Sequence, residues 1–176
     1  MPASIPPFTL EDFDMTPAKR AELTHGLTER QAFMGNRWMD MLRIVGAGRW
    51  EGYEDYFDTD KFTYSNPNRP DLASFAVWSA GGRELLTTFP PCVYRTLGIW
   101  ARGDDEICTF NHHHGKHTGG PYMGVQPTGN ELNVLWFSRV KFEGDKIVQI
   151  YSISDVLSML IDLEVISAPQ PVDPYK

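Results

Sequence analysis

From Gly115 to Asn130 the chain reads Gly-Lys-His-Thr-Gly-Gly-Pro-Tyr-Met-Gly-Val-Gln-Pro-Thr-Gly-Asn, and from Phe142 to Asp155 it reads Phe-Glu-Gly-Asp-Lys-Ile-Val-Gln-Ile-Tyr-Ser-Ile-Ser-Asp. Turn-forming residues at 119–121 and 127–130 break up β-prone runs, and Glu143-Gly144-Asp145 marks a tight reversal between two more. The pattern is a meander of antiparallel strands that ends on Asp155, where an apolar helix over Val156–Val165 begins. A curved sheet with a helix laid over it encloses a pocket, so chemistry is to be sought where the strands present polar groups inward.

Upstream, the punctuation divides the chain into recognisable pieces. Residues 1–15 carry three prolines among acidic and aromatic residues and read as an extended arm. Thr16 before Pro17, with Gly26 as a stop, predicts a short helix over 17–25. Thr28 and Gln31 form a capping-box pattern ahead of a longer helix, on which Met34, Trp38, Met41, Leu42 and Val45 recur at three and four residues. That apolar face is expected to cover the sheet. Gly46-Ala-Gly48 ends it, and Trp50 to Phe57 reads as another helix. Lys61 to Ser65 has strand character, Asn66 to Asp71 is a loop, and Leu72 to Trp78 fits helix or strand equally well. Gly81-Gly-Arg-Glu-Leu-Leu is a helix closed by Phe89-Pro-Pro91, and Val93–Ala101 and Glu106–His114 are two strands joined at Arg102–Asp105. The organisation is an arm and short helix over 1–27, one domain over 28–166 and a Pro-rich tail over 167–176.

A chain of 176 residues suffices for one core, since a domain of this size buries roughly 70% of its unfolded surface. The net charge of −7 and the scattered Lys and Arg argue against nucleic acid as a partner. With neither a signal-like N-terminus nor a long apolar run, the expectation is a cytoplasmic protein without a membrane segment. Cys92 and Cys108 read as buried free thiols.

His117-Thr-Gly119, Pro121-Tyr-Met-Gly-Val125, Pro127-Thr-Gly129 and Gly144-Asp-Lys-Ile-Val148, followed by an aromatic and Asp155, resemble the SnoaL-like polyketide cyclase family of the NTF2-like superfamily. The resemblance is specific from Gly115 to Val165 and looser before it. It implies an α+β fold, a cone-shaped barrel in which a curved antiparallel sheet is packed by N-terminal helices around a pocket, and usually a homodimer. It further implies a small-molecule substrate, an aspartate at the position of Asp155 acting as acid and base for an aldol ring closure, and neither metal nor organic cofactor. The superfamily also holds isomerases, dehydratases, hydrolases and non-catalytic binders.

Two readings of Asp155 stand side by side. If Gln149 to Asp155 is a strand, Gln149, Tyr151, Ile153 and Asp155 share a face, and a drier pocket would raise the carboxyl pKa into a useful range. Equally, an Asp before an apolar helix is a good N-cap. His117, at the family's histidine, is the second catalytic candidate, an imidazole able to donate to an enolate or to pass a proton; the alternative is a turn histidine bonded to backbone. His113 has the parity of His117 unless Gly115 inserts a bulge. Alternation allows at most two of the four clustered histidines to converge, too few for a catalytic zinc site. Trp38, Trp50, Tyr64, Trp78, Trp136 and Tyr151 are candidates to line a cavity for a flat substrate, or are core. Arg139 either orients a substrate carbonyl or pairs with a carboxylate on the outer face. Pro127-Thr-Gly129 reads as scaffold. Three functions compete: a cofactor-independent enzyme of the cyclase, isomerase or lyase type, a ligand-binding or regulatory module, and a structural dimer with a filled cone.

Overall fold

Thr28 and Gln31 cap a helix as their spacing predicts: the Gln31 backbone N–H donates to Thr28 Oγ1 at 3.3 Å and the Thr28 N–H donates to Gln31 Oε1 at 3.1 Å. The computed structural model describes residues 15–46 and 52–168. Helix α1, Pro17–Leu23, starts at a Thr16 cap. Helix α2, Glu29–Gly46, buries Met34, Trp38, Met41, Leu42 and Val45, the predicted stripe. A single 3-10 turn, Tyr53–Tyr56, stands in place of the predicted helix, whose start at Trp50 lies outside the described residues. Strand β1 is Thr63–Ser65, and helix α3 is Phe75–Thr88, which resolves the ambiguity after Leu72 in favour of a helix beginning at Phe75.

Strands β2 (Val93–Arg102), β3 (Glu106–Lys116), β4 (Glu131–Glu143) and β5 (Lys146–Ser154) are followed by helix α4, Val156–Asp162, shorter than expected. The sheet order is β1-β5-β4-β3-β2. β2 to β5 form antiparallel ladders, whereas β1 joins β5 in parallel, so the sheet is mixed and not wholly antiparallel. The segment between β3 and β4 adds no strand; it holds one tight bridge between Tyr122 and Val125.

Two glycines of the 115–119 motif are required by close approach. A Cβ on Gly115 would lie 2.4 Å from the Phe89 carbonyl oxygen, and one on Gly119 would lie 1.7 Å from the Thr87 oxygen. The end of α3 therefore rests directly on this backbone, and the Gly119 N–H donates to Thr88 O at 3.0 Å. Gly129, at φ +77°, turns the Pro127-Thr-Gly129 segment so that its N–H reaches His117 O at 2.8 Å.

The core forms in two parts. The α2 stripe packs with Phe57, Phe62, Ile99, Ile107, Val140, Phe142, Ile147 and Ile150, while Phe89, Tyr122, Leu132, Val134 and Leu163 form a second cluster. Between them a hollow is left.

Candidate functional site

Strand parity decides which side chains face that hollow. Val140, Ser138 and Trp136 of β4 point inward, and their partners on β5 are Ile150, Ser152 and Ser154. The inward face of β5 is thus the even-numbered one, and the face predicted for Gln149, Tyr151, Ile153 and Asp155 is the outer one. On β3 the inward residues include Asn111 and His113, and His113 stands opposite Tyr94 of β2.

The resulting cavity has a volume of about 220 Å³. One water needs about 10–15 Å³ by the same measure, so there is room for on the order of fifteen to twenty non-hydrogen atoms, the size of two or three fused rings. Trp38, Tyr64, Trp78, Tyr94 and Trp136 supply flat apolar wall. Gly81 and Gly82 of α3, and Val156 and Met159 of α4, complete the sides, and Arg69, Tyr122 and Met123 also line it. Among the described residues no aspartate or glutamate lines the cavity.

His113 is the imidazole in this wall, 5% exposed. Its Nε2 lies 2.9 Å from Cys92 Sγ, its ring is 5.0 Å from Tyr94, and Nδ1 makes no hydrogen bond among the described residues. Burial, with His112 and His114 adding to it, pulls the His113 pKa down to about 3. Burial also pushes the Cys92 thiol up to about 12, against a smaller opposing effect of the hydrogen bond from Tyr94. Both groups are neutral at pH 7, so the pair is a thiol beside an imidazole and not a thiolate–imidazolium nucleophile.

The polar remainder is neutral apart from Arg69. Ser138 and Ser152 hydroxyls are 2.7 Å apart and both are buried. Asn66 Nδ2 donates to Tyr64 Oη at 3.1 Å. Arg69 is held by Asp71 at 2.9 Å, and this hydrogen bond draws the Asp71 carboxyl below its ordinary range. Deeper in, Asn111 Oδ1 accepts from Trp38 Nε1 and from Thr96 Oγ1, each at 3.2 Å.

Of the residues singled out from sequence, Trp38, Tyr64, His113 and Trp136 line the cavity together, and Trp50 lies outside the described residues. Asp155 is exposed and does not line it; its carboxylate accepts from the Ser158 N–H at 3.0 Å and from Ser158 Oγ at 2.6 Å, as a helix cap. His117 is fully buried beyond the end of β3, with Nε2 donating to Gly120 O at 3.0 Å and Nδ1 accepting from the Thr128 N–H at 3.3 Å, so its two nitrogens fasten the loop 117–130. Tyr151 and Arg139 are neighbours on the outer face, where Arg139 Nε meets Glu106 at 3.4 Å. Trp78, read from sequence as a possible cavity wall, also lines it, whereas Tyr94, Tyr122, Arg69 and the inward serines were not singled out. The signal for the serines lay in the parity of β5, had its register with β4 been known. Among the described residues no three metal-ligating side chains cluster, and no helix is long and apolar enough to cross a membrane.

Comparisons agree with this architecture. AclR, a candidate hydroxylase from Streptomyces galilaeus, superposes with a TM-score of 0.71 at 18% identity, covering 80% of this chain and 86% of that one. A candidate SnoaL-like polyketide cyclase from Jannaschia sp. CCS1 gives 0.68 at 16% identity, covering 81% and 97%. IdmH, a candidate polyketide cyclase from Streptomyces antibioticus, gives 0.64 at 19% identity, covering 74% and 98%. At these identities the likeness shows the fold alone. No curated protein sequence matches significantly. The SnoaL-like polyketide cyclase family model matches residues 36–163, and with this α+β, NTF2-like fold around its cavity the chain belongs to that family.

Proposed function

We propose that the cavity takes a planar, carbonyl-bearing, polyketide-like molecule and that His113, in place of a carboxylate, is the group that acts on it. The observation that carries the reading is an aromatic hollow whose one imidazole is buried, neutral and paired at Nε2 with a neutral thiol. In the tautomer this reading assigns, Sγ–H donates to Nε2 and the ring proton sits on Nδ1. A neutral imidazole N–H polarises a carbonyl oxygen and stabilises the enolate that forms when the proton on the adjacent carbon passes to a water or to a basic group of the ligand itself. Cyclisation, isomerisation and dehydration all pass through such a species.

A second reading, a binder without turnover, is favoured because no carboxylate among the described residues lines the cavity to take the carbon-bound proton. The test is to titrate fused-ring hydroxyketones against the protein, following the fluorescence of Trp38, Trp78 and Trp136, and to look for product by mass spectrometry. Turnover that His113→Gln removes while affinity persists supports the enzyme. Tight binding with no product from any substrate of the class supports the binder.

The dimer implied by the family is proposed to form through the outer sheet face. There Trp100 stacks on Phe137 at 6.4 Å, and Trp100, Phe137 and Ile153 are 54%, 40% and 49% exposed. Light scattering on Trp100→Lys checks it; a dimer unchanged by that substitution places the interface elsewhere.

A further inference from the structure

We infer that Ser138 and Ser152 form a carbonyl-binding subsite on the floor of the cavity, an inference that rests on the cavity being a ligand site. The two residues face each other directly across β4 and β5, are 0% and 4% exposed, and both line the hollow. Their hydroxyl oxygens are 2.7 Å apart, so one hydroxyl donates to the other. Each hydroxyl carries one hydrogen and two lone pairs. One of the pair's two hydrogens is therefore spent between them and the other is left over. Neither serine makes a further side-chain hydrogen bond among the described residues.

A buried hydroxyl hydrogen without an acceptor is costly, and its natural complement is a ligand oxygen that accepts. The surroundings set how the ligand must lie. Along the strands the pair is flanked by Trp136 and Ser154 on one side and by Val140 and Ile150 on the other, and Tyr64 stands across from Ile150. A polar spot set between aromatic and aliphatic side chains fixes the orientation of a flat molecule more than it adds to its affinity. The ligand class is a ring ketone or quinone-type carbonyl, which accepts without needing to donate.

Hydrogen counting makes the test specific. In Ser138→Ala or Ser152→Ala the surviving hydroxyl keeps one hydrogen free for the ligand, so each single substitution leaves recognition largely intact. The double variant loses it, and the two effects are strongly non-additive. The probes are 9-fluorenone and fluorene, nearly the same shape and differing in one carbonyl, titrated calorimetrically. Wild type and both single variants are expected to prefer fluorenone by about three- to tenfold, the range of one hydrogen bond. The double variant is expected to bind the two equally, with its fluorene affinity unchanged.

A fluorenone preference that survives in the double variant overturns the subsite, as does equal binding of the two probes by wild type, and either result leaves the cavity reading standing. Saturable binding of neither probe overturns both. Replacing both partners of a buried hydrogen bond by apolar groups is nearly neutral for folding. Should the double variant not fold, the infrared carbonyl stretch of fluorenone bound to wild type decides: a shift to lower frequency than in hydrocarbon solvent supports the subsite, and an unshifted band overturns it.

Discussion

Replacing Asp155 separates a helix cap from a catalytic carboxylate. The side chain accepts two hydrogen bonds from Ser158, one from its backbone N–H and one from its hydroxyl, and is exposed outside the cavity. Loss of such a cap costs about 1 kcal/mol, within a range of roughly 0.5–2. For a chain of this length each kcal/mol moves Tm by about 2–4 °C. Asp155→Ala should therefore melt about 2–4 °C below wild type, and no more than about 8 °C below it. Asp155→Asn, an equally good cap, should melt close to wild type. Because Val156 and Met159 of the capped helix line the cavity, the alanine variant should lose ligand affinity only near its melting range, where α4 frays. Scanning calorimetry and a titration well below Tm, run side by side, measure both effects. An asparagine variant that melts with wild type yet loses tenfold or more in turnover or binding would refute this reasoning, because the carboxylate would then have to reach the ligand.

The depressed His113 pKa has a sign that urea unfolding can check. A folded-state pKa near 3, against about 6.5 unfolded, means the unfolded chain binds the extra proton between those values, so stability is full above pH 6.5 and falls as pH drops toward 3. The slope from this one group approaches about 1.4 kcal/mol per pH unit in that window, and His113→Gln should remove it; parallel pH profiles for the two proteins would show that another group is responsible. Gly119→Ala places a Cβ 1.7 Å from Thr87 O and should cost about 2–4 kcal/mol, read as a lowered urea midpoint, whereas a variant as stable as wild type would mean that the end of α3 moves freely. Cys92, buried with its thiol pushed up to about 12, should resist thiol-specific reagent at pH 8 in the folded protein and react at once in urea; rapid native labelling at Cys92 would remove the Cys92–His113 arrangement on which the carbonyl-polarising reading depends.

Much of the fold was legible from spacing. The stripe Met34, Trp38, Met41, Leu42, Val45 and the Thr28–Gln31 cap are local patterns, and local patterns survive folding. The cavity side of β5 was not legible in the same way. Alternation says that Tyr151 and Ser152 face opposite ways but not which of them faces in, and a one-residue difference sends the whole polar set to the other side. Pairing with Ser138 and Trp136 settles it, and that pairing is long-range. The motif residues misled for a related reason. His117, Gly119 and Gly129, on which the family resemblance rests, fasten one loop to the end of α3 and to itself and do not line the cavity. Tyr94 looks like an ordinary strand residue in sequence, and only its pairing opposite His113 places it in the wall.

Helix α3 presents two adjacent glycines, Gly81 and Gly82, to the hollow. Inside a helix each forfeits up to about 1 kcal/mol relative to alanine. Methyl groups there would firm the helix and crowd the space beside Leu85 and Trp78, although at Gly81 the added carbon would also press on Leu72 at 3.2 Å. Gly82→Ala should thus make a sturdier protein with less capacity, so this segment is where rigidity and guest size trade against each other, and where the upper limit on what the protein admits is tuned.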